Sequence, residues 1–164
     1  MKVLYILILF AFFASCDKTM PAGFWNNFHK SLLVKNLSDH GPYGGHREMY
    51  WKSDKAKVFI SKEVIKFATN NSWSFVDSFF FSAKELINLT NNSQTFPFTY
   101  SDFADSSMNT TAFHKWITSD VMIYRFKTNW IAIEPGNSKQ TENNGYIVIN
   151  SDGSELSVYH LWGE

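Results

Sequence analysis

Short runs of β-branched and aromatic residues, separated by turn-forming residues, recur along this chain and restrict its fold more than any other pattern. The clearest pair, residues 145–150 and 155–162, flanks Ser151-Asp152-Gly153, a sequence typical of a hairpin turn. Residues 121–127 and 129–134 have the same composition. Short strands at this spacing predict a single antiparallel barrel or sandwich. We therefore expect a mainly β domain with one or two short helices.

The first half of the chain contains further strand candidates. Residues 46–51 alternate in character, which puts Arg47, Met49 and Trp51 on one face of a strand. Other candidates lie at residues 57–60, 63–69 and 72–82, with Asn70-Asn71 as a hairpin turn before the last of them. In residues 72–82, alternation puts Trp73, Phe75, Phe79 and Phe81 on one face of the strand.

Three segments have a less regular pattern. Residues 23–35 fit either a helical stripe or, at their end, a strand. Residues 90–105 are rich in Asn, Ser and Thr and are predicted to form a loop long enough to cover part of the domain. Residues 109–118 are predicted to form a short helix.

The N-terminus has the pattern of a secretory signal peptide. Lys2 precedes an apolar run over residues 3–13, and Ala14-Ser15-Cys16 follows. This ending resembles the lipobox of bacterial lipoproteins, which implies cleavage before Cys16 and acylation of its thiol. The apolar run is shorter than the roughly 20 residues of a membrane-spanning helix. The alternative is an ordinary signal peptide, which would leave a free thiol.

This interpretation divides the chain into a signal peptide at 1–15, a lipidated N-terminus and tether at 16–22, and a single domain at 23–164. The mature chain would have a formal charge of −1, because residues 1–15 contain one lysine and no acid. Nucleic-acid binding, which needs a basic surface, is therefore not expected. No disulfide can form within the chain, since Cys16 is its one cysteine.

The mature chain is also unusually aromatic, with 25 Phe, Tyr and Trp residues. We expect some of them to line a cavity or a partner-facing patch; the alternative is cross-strand pairing within the core. The ligand-contacting candidates are Trp25, Trp73, Phe75, Phe79 and Trp130. His46 and Arg47 follow a glycine-rich segment and would form the polar rim. The favoured alternative is that this segment is only a tight loop that enters a strand.

No pattern in the chain indicates catalysis or metal binding. The histidines show no pair at the spacing of a helical metal site, and there is no Gly-x-Ser-x-Gly sequence. We expect no metal and no cofactor. An enzyme that uses His46, Glu48 and a further histidine is the least favoured hypothesis.

Gly23-Phe24-Trp25 resembles the Gly-x-Trp signature that begins the first strand of lipocalins. The resemblance implies an antiparallel barrel whose base is closed by Trp25. It also implies an aromatic interior that binds an apolar or amphipathic ligand.

These patterns together predict a monomeric protein of the bacterial cell envelope, anchored to a membrane by lipid, with its domain outside the cytoplasm. The domain would bind a hydrophobic small molecule and catalyse nothing. The alternative function is that of a protein-interaction or inhibitor lipoprotein, whose exposed aromatic residues contact another envelope protein.

Overall fold

The computed structural model of this 164-residue chain describes residues 20–42, 44–86, 117–130, 132–133, 140–141 and 144–163, with backbone alone for residues 132–133 and 140–141. The predicted signal peptide and Cys16 lie outside these residues. So do the predicted loop at 90–105 and most of the predicted helix at 109–118.

The described residues form a mainly β structure, as expected from the sequence. Two short 3-10 segments, Gly23–Asn27 and Lys30–Leu32, precede the first strand. The strands and the helix are β1 (Leu33–His40), β2 (Gly44–Lys52), α1 (Ser61–Asn70), β3 (Ser74–Phe81), β4 (Val121–Lys127), β5 (Ala132–Ile133), β6 (Gln140–Thr141), β7 (Gly145–Asn150) and β8 (Glu155–Gly163).

Six of the strands make one antiparallel sheet in the order β1-β2-β8-β7-β4-β3. The short strands β5 and β6 pair with each other, and β5 also pairs in parallel with the end of β8. Strands β1 and β3 lie at the two ends of this path and do not pair within the described residues. The sheet is therefore open in this part of the chain, and closure into a barrel stays a prediction.

One face of the sheet packs against α1 and the N-terminal 3-10 segments. Trp25 lies at the centre of this layer and is fully buried, with its ring 5.5 Å from that of Phe28 and 6.0 Å from that of Trp51. The Trp51 indole N–H donates to the Phe28 carbonyl at 2.8 Å. This hydrogen bond connects the 3-10 segments to β2. It also satisfies two polar groups that lie in an apolar environment.

The opposite face of the sheet carries a second apolar cluster. It contains Ile123, Val148 and Tyr146, and it also includes Leu86 and Ile117, the described residues on either side of the gap from 87 to 116. All six residues of β7 are buried as a result. A strand covered on both faces reads as a continuous apolar run, as residues 145–150 do.

The hairpin predicted at Ser151-Asp152-Gly153 is confirmed as the connection between β7 and β8. Gly153 has a φ of 71°, and a Cβ there would lie 3.2 Å from the Lys57 Cα. Residues 57–60 pack against this turn in irregular backbone, with Lys57 N–H donating to the Asp152 carbonyl at 2.7 Å. The strand predicted over residues 57–60 is therefore wrong, because their backbone pairs with a turn.

The strand predicted at residues 63–69 is also wrong, because this segment belongs to α1. Val64 and Ala68 are both fully buried, and a spacing of four residues puts them on one face of a helix. The predicted turn at Asn70-Asn71 is instead the C-terminal end of that helix.

Candidate functional site

A pocket of about 290 Å³ opens at the end of α1. Three short stretches of chain surround it, and they contribute Met20, Ala22 and Phe24; Asn70, Asn71, Ser72 and Trp73; and Asn129 and Trp130. Two of the predicted ligand-contacting residues, Trp73 and Trp130, thus meet at one site. The volume lies just below the range of about 300–1,000 Å³ that is usual for small-molecule sites.

The first wall of the pocket is the C-terminal end of α1, which ends in a Schellman motif. Trp73 N–H donates to the Ala68 carbonyl and Ser72 N–H donates to the Thr69 carbonyl, both at 3.1 Å. Ser72 takes the left-handed position of this motif, with a φ of 70°. This turn brings the Asn71 and Ser72 side chains to the pocket.

The second wall is the N-terminal stretch, which also contains a left-handed residue. Ala22 has a φ of 54° and leads into the first 3-10 segment. Phe24 then meets Trp73 edge-to-face, with ring centroids 5.6 Å apart. Arg47 donates from Nη1 to the Pro21 carbonyl at 3.3 Å, so this stretch is also tied to β2. Non-glycine residues with left-handed backbone are uncommon and cluster at functional sites.

The third wall is the turn at residues 128–130, which a buried polar network holds in place. The Thr128 hydroxyl donates to Asn144 Oδ1 at 2.7 Å and accepts from the Trp130 backbone N–H at 3.1 Å. Asn144 Nδ2 donates in turn to the Trp130 carbonyl at 2.8 Å. Both polar backbone groups of Trp130 are therefore fixed, while its side chain remains 40% exposed.

His160, on β8, packs against this hydrogen-bond network. Its Nε2 lies 3.1 Å from Thr128 Oγ1, and its ring lies between those of Trp73 and Trp162, at 5.3 and 5.4 Å. Burial, and then the charge of Arg47, lower the pKa of His160 to about 3, so the ring is neutral at physiological pH. The Thr128 hydroxyl thus lies within hydrogen-bonding distance of the His160 ring, the Asn144 amide and the Trp130 backbone.

Trp73 joins the buried network to the pocket. Its ring packs over Gly145, where a Cβ would lie only 2.8 Å from both Trp73 Cζ3 and the Thr128 methyl group. A residue larger than glycine at position 145 would displace one of these two groups. The pocket floor thus depends on the bare backbone at this point of β7.

The side chains that line the pocket are neutral. They are aromatic, aliphatic, amide or hydroxyl groups, with no Asp, Glu, Lys, Arg, His or Cys among them. Within the described part of the chain, the side-chain amides of Asn70 and Asn129 have no hydrogen-bond partner in the protein. The arrangement can pack an aromatic face against a ligand and exchange hydrogen bonds with it in both directions. It offers no acid, base or charged nucleophile.

The other predicted ligand-contacting residues lie elsewhere. Trp25 is in the core, and Arg47 lies behind the pocket on β2. A β-bulge between Phe75 and Asp77 breaks the predicted parity of β3, so Phe75 pairs with Phe126 on one face and Phe79 with Ile123 on the other. One cavity cannot collect both phenylalanines, because they face opposite ways.

His46 lies on the face of the sheet opposite the pocket. Its Nε2 is 3.8 Å from Glu48 Oε1, and its ring stacks on that of Tyr159 with centroids 6.2 Å apart. Burial, and then the charge of Glu48, raise the pKa of Tyr159. His46 and His160 therefore lie on different faces of the sheet and do not contribute to one site.

Four polar pocket residues, Asn70, Asn71, Ser72 and Asn129, were not among the sequence candidates. Residues 63–69 are predicted to form a strand. Asn and Ser residues that follow a strand indicate a turn and not a binding site. The i, i+4 spacing of Val64 and Ala68 is the signal that identifies the helix and hence its polar C-terminal end.

No cluster of metal-binding side chains occurs among residues 20–42, 44–86 and the other described stretches, and no helix in them is long and apolar enough to cross a membrane. Comparison with protein-family models, curated proteins and solved structures gives no match to this chain.

Proposed function

We propose that this protein is a non-catalytic binding domain, held at the bacterial cell envelope by lipid on Cys16, and that it takes a small amphipathic ligand between Trp73 and Trp130. One observation carries this proposal: a single pocket of about 290 Å³ combines aromatic walls with an amide rim and contains no ionisable group. Sites for small ligands combine apolar walls with polar groups that set orientation, and this pocket has both.

The pocket is also supported by rigid elements, which favours a binding role. The Schellman turn fixes Ser72 and Trp73, and the Thr128–Asn144 hydrogen bond fixes the turn that bears Trp130. A site whose walls are already ordered loses less conformational entropy when the ligand binds.

This proposal does not depend on a closed barrel. A lipocalin-like barrel would enclose the ligand within the sheet, whereas the pocket is bounded by α1, the N-terminal stretch and the 128–130 turn. In this chain Gly23-Phe24-Trp25 opens a 3-10 segment and not the first strand, which begins at Leu33. Phe24 lines the pocket and Trp25 packs in the core.

Thermal-shift measurements with four small probes test the proposal. The probes are octanoate, indole, N-acetyl-tryptophanamide and methyl β-D-glucopyranoside, and the variants are Trp130→Ala and Phe80→Ala. Phe80 is the matched control because it is an exposed aromatic residue, 59% accessible, that does not line the pocket. We expect at least one probe to raise the melting temperature of the wild type and of Phe80→Ala but not of Trp130→Ala. A probe series without any Trp130-dependent shift would contradict the proposal.

A protein-interaction role is the second candidate, and the surface of β3 favours it. Phe75, Val76 and Phe80 are exposed on this strand, which lies at one end of the described sheet path. Exposed apolar groups on an edge strand are typical of protein contacts. A photo-crosslinking amino acid at position 80 would distinguish the two roles, because crosslinks to one envelope protein from position 80 but not from exposed position 55 would favour the interaction role.

A further inference from the structure

We infer that the pocket between Trp73 and Trp130 is built for a neutral, hydroxyl-rich ring of the monosaccharide class. This inference rests on the proposed function and specifies its ligand. It follows from the charge, the hydrogen-bonding groups and the rigidity of the pocket.

Charge narrows the choice of ligand first. No cationic side chain lines the pocket, so a phosphate or carboxylate would lose water there without gaining an ion pair. No anionic side chain lines it either, which disfavours an amine. A neutral ligand avoids both costs.

The hydrogen-bonding groups of the rim match hydroxyl groups better than they match a fatty chain. Each asparagine amide offers both a donor and an acceptor, and the Ser72 hydroxyl does the same. Asn71 uses one amide hydrogen on the Phe67 carbonyl at 2.8 Å and keeps its oxygen for a ligand. A ligand with hydroxyl groups around a ring can both donate to and accept from such a rim, whereas a purely apolar ligand would remove water from it without replacement.

The aromatic walls supply the complementary apolar surface. Trp130 is 40% exposed with its backbone fixed at both N–H and carbonyl, and Phe24 stands edge-on to Trp73. The C–H face of a sugar ring is apolar and its edge is polar, which fits aromatic walls beneath an amide rim. The small volume of the pocket suits a single ring better than an extended chain.

Saturation-transfer NMR with four neutral sugars tests this inference. The probes are the methyl glycosides of glucose, galactose and mannose and N-acetylglucosamine, with glucose 6-phosphate and octanoate as comparators. We expect saturation to reach the C–H protons of one ring face of at least one neutral sugar. Glucose 6-phosphate should bind about tenfold more weakly, because its phosphate finds no cation.

Dissociation constants from the shift of the Trp73 indole N–H then locate the site. Trp130→Ala and Asn129→Ala should each weaken sugar binding about tenfold, and the matched exposed controls Phe80→Ala and Asn36→Ala should not. Octanoate that binds in a Trp130-dependent way while all four sugars fail would overturn the sugar inference and leave the proposed function standing. Failure of every probe would overturn both.

Discussion

Arg47 and His160 face each other directly across strands β2 and β8, and both side chains are buried. A positive charge beside a buried imidazole disfavours protonation of the ring. Nε2 of this ring lies within hydrogen-bonding distance of the Thr128 hydroxyl, which accepts from the backbone N–H of Trp130. The packing of two cross-strand neighbours is thus linked to the geometry of the pocket.

This pairing predicts that stability falls in mild acid. The pKa of His160 is about 3 in the folded protein and near 6.5 when unfolded, so between these values only the unfolded state binds the proton. The free energy of unfolding should therefore decrease by about 1.4 kcal/mol for each pH unit lost between about pH 6.5 and 3. Urea unfolding of the wild type and His160→Gln from pH 4 to 7 measures the difference in slope.

His40→Gln is the matched control, because it makes the same substitution at an exposed position. If His160→Gln does not fold, an NMR titration of the His160 ring in the wild type replaces it. A ring that titrates near pH 6.5 in the folded protein would contradict the account.

The left-handed backbone at Ser72 predicts that glycine would be more stable there. Ser72→Gly should raise the free energy of unfolding by about 0.5–1 kcal/mol, because glycine adopts positive φ without the steric cost that a side chain carries. The same change at Ser74, in the extended backbone of β3, should lower stability instead. Thermal unfolding of both variants measures the contrast, and loss of stability at position 72 would count against the helix end described above.

The buried Thr128 hydroxyl predicts a coupled loss of stability and ligand affinity. Thr128→Val would remove the partner of the buried Asn144 Oδ1 and of the Trp130 N–H, and the unsatisfied Asn144 oxygen should cost about 1–3 kcal/mol. Thr128→Ser keeps the hydroxyl and should restore probe binding. Urea unfolding and the thermal-shift series measure the two effects, and a Thr128→Val variant with unchanged stability would show that the network does not hold the turn.

The lipobox resemblance predicts that Cys16→Ser releases the domain from the membrane while leaving it folded. Acyl chains bind a bilayer with about 0.8 kcal/mol for each buried methylene group, and the mature chain has no basic excess to replace them. Membrane fractionation with an epitope-tagged chain measures the release. Unchanged cleavage together with unchanged membrane association would mean that Cys16 is not the anchor.

The sequence predicted β2 and the β7–β8 hairpin better than it predicted β3. Alternation in residues 46–51 and the Ser151-Asp152-Gly153 turn identify β2 and the β7–β8 hairpin, because each is a local pattern with one physical solution. No local pattern in the sequence indicates the bulge near Val76. The one extra residue there reverses the face to which every later side chain of the strand points. Parity alone therefore assigned Phe75 and Phe79 to one surface.

Only part of the pocket could be predicted from the sequence. The sequence identifies Trp73 and Trp130 as candidate ligand-contacting residues, but their meeting at one pocket depends on how α1 ends and on the buried partners of Thr128. Asn70, Ser72 and Asn129 are ordinary turn residues by composition. Tertiary packing, which local patterns do not encode, turns them into a rim.

A crystal structure of the protein grown with the compound that stabilises it most in the thermal-shift series tests the central claim most directly. The account predicts ligand density between Trp73 and Trp130, with polar atoms within hydrogen-bonding distance of Asn70 or Asn129. Density on the opposite face of the sheet, beside Tyr146 and Tyr159, would contradict it.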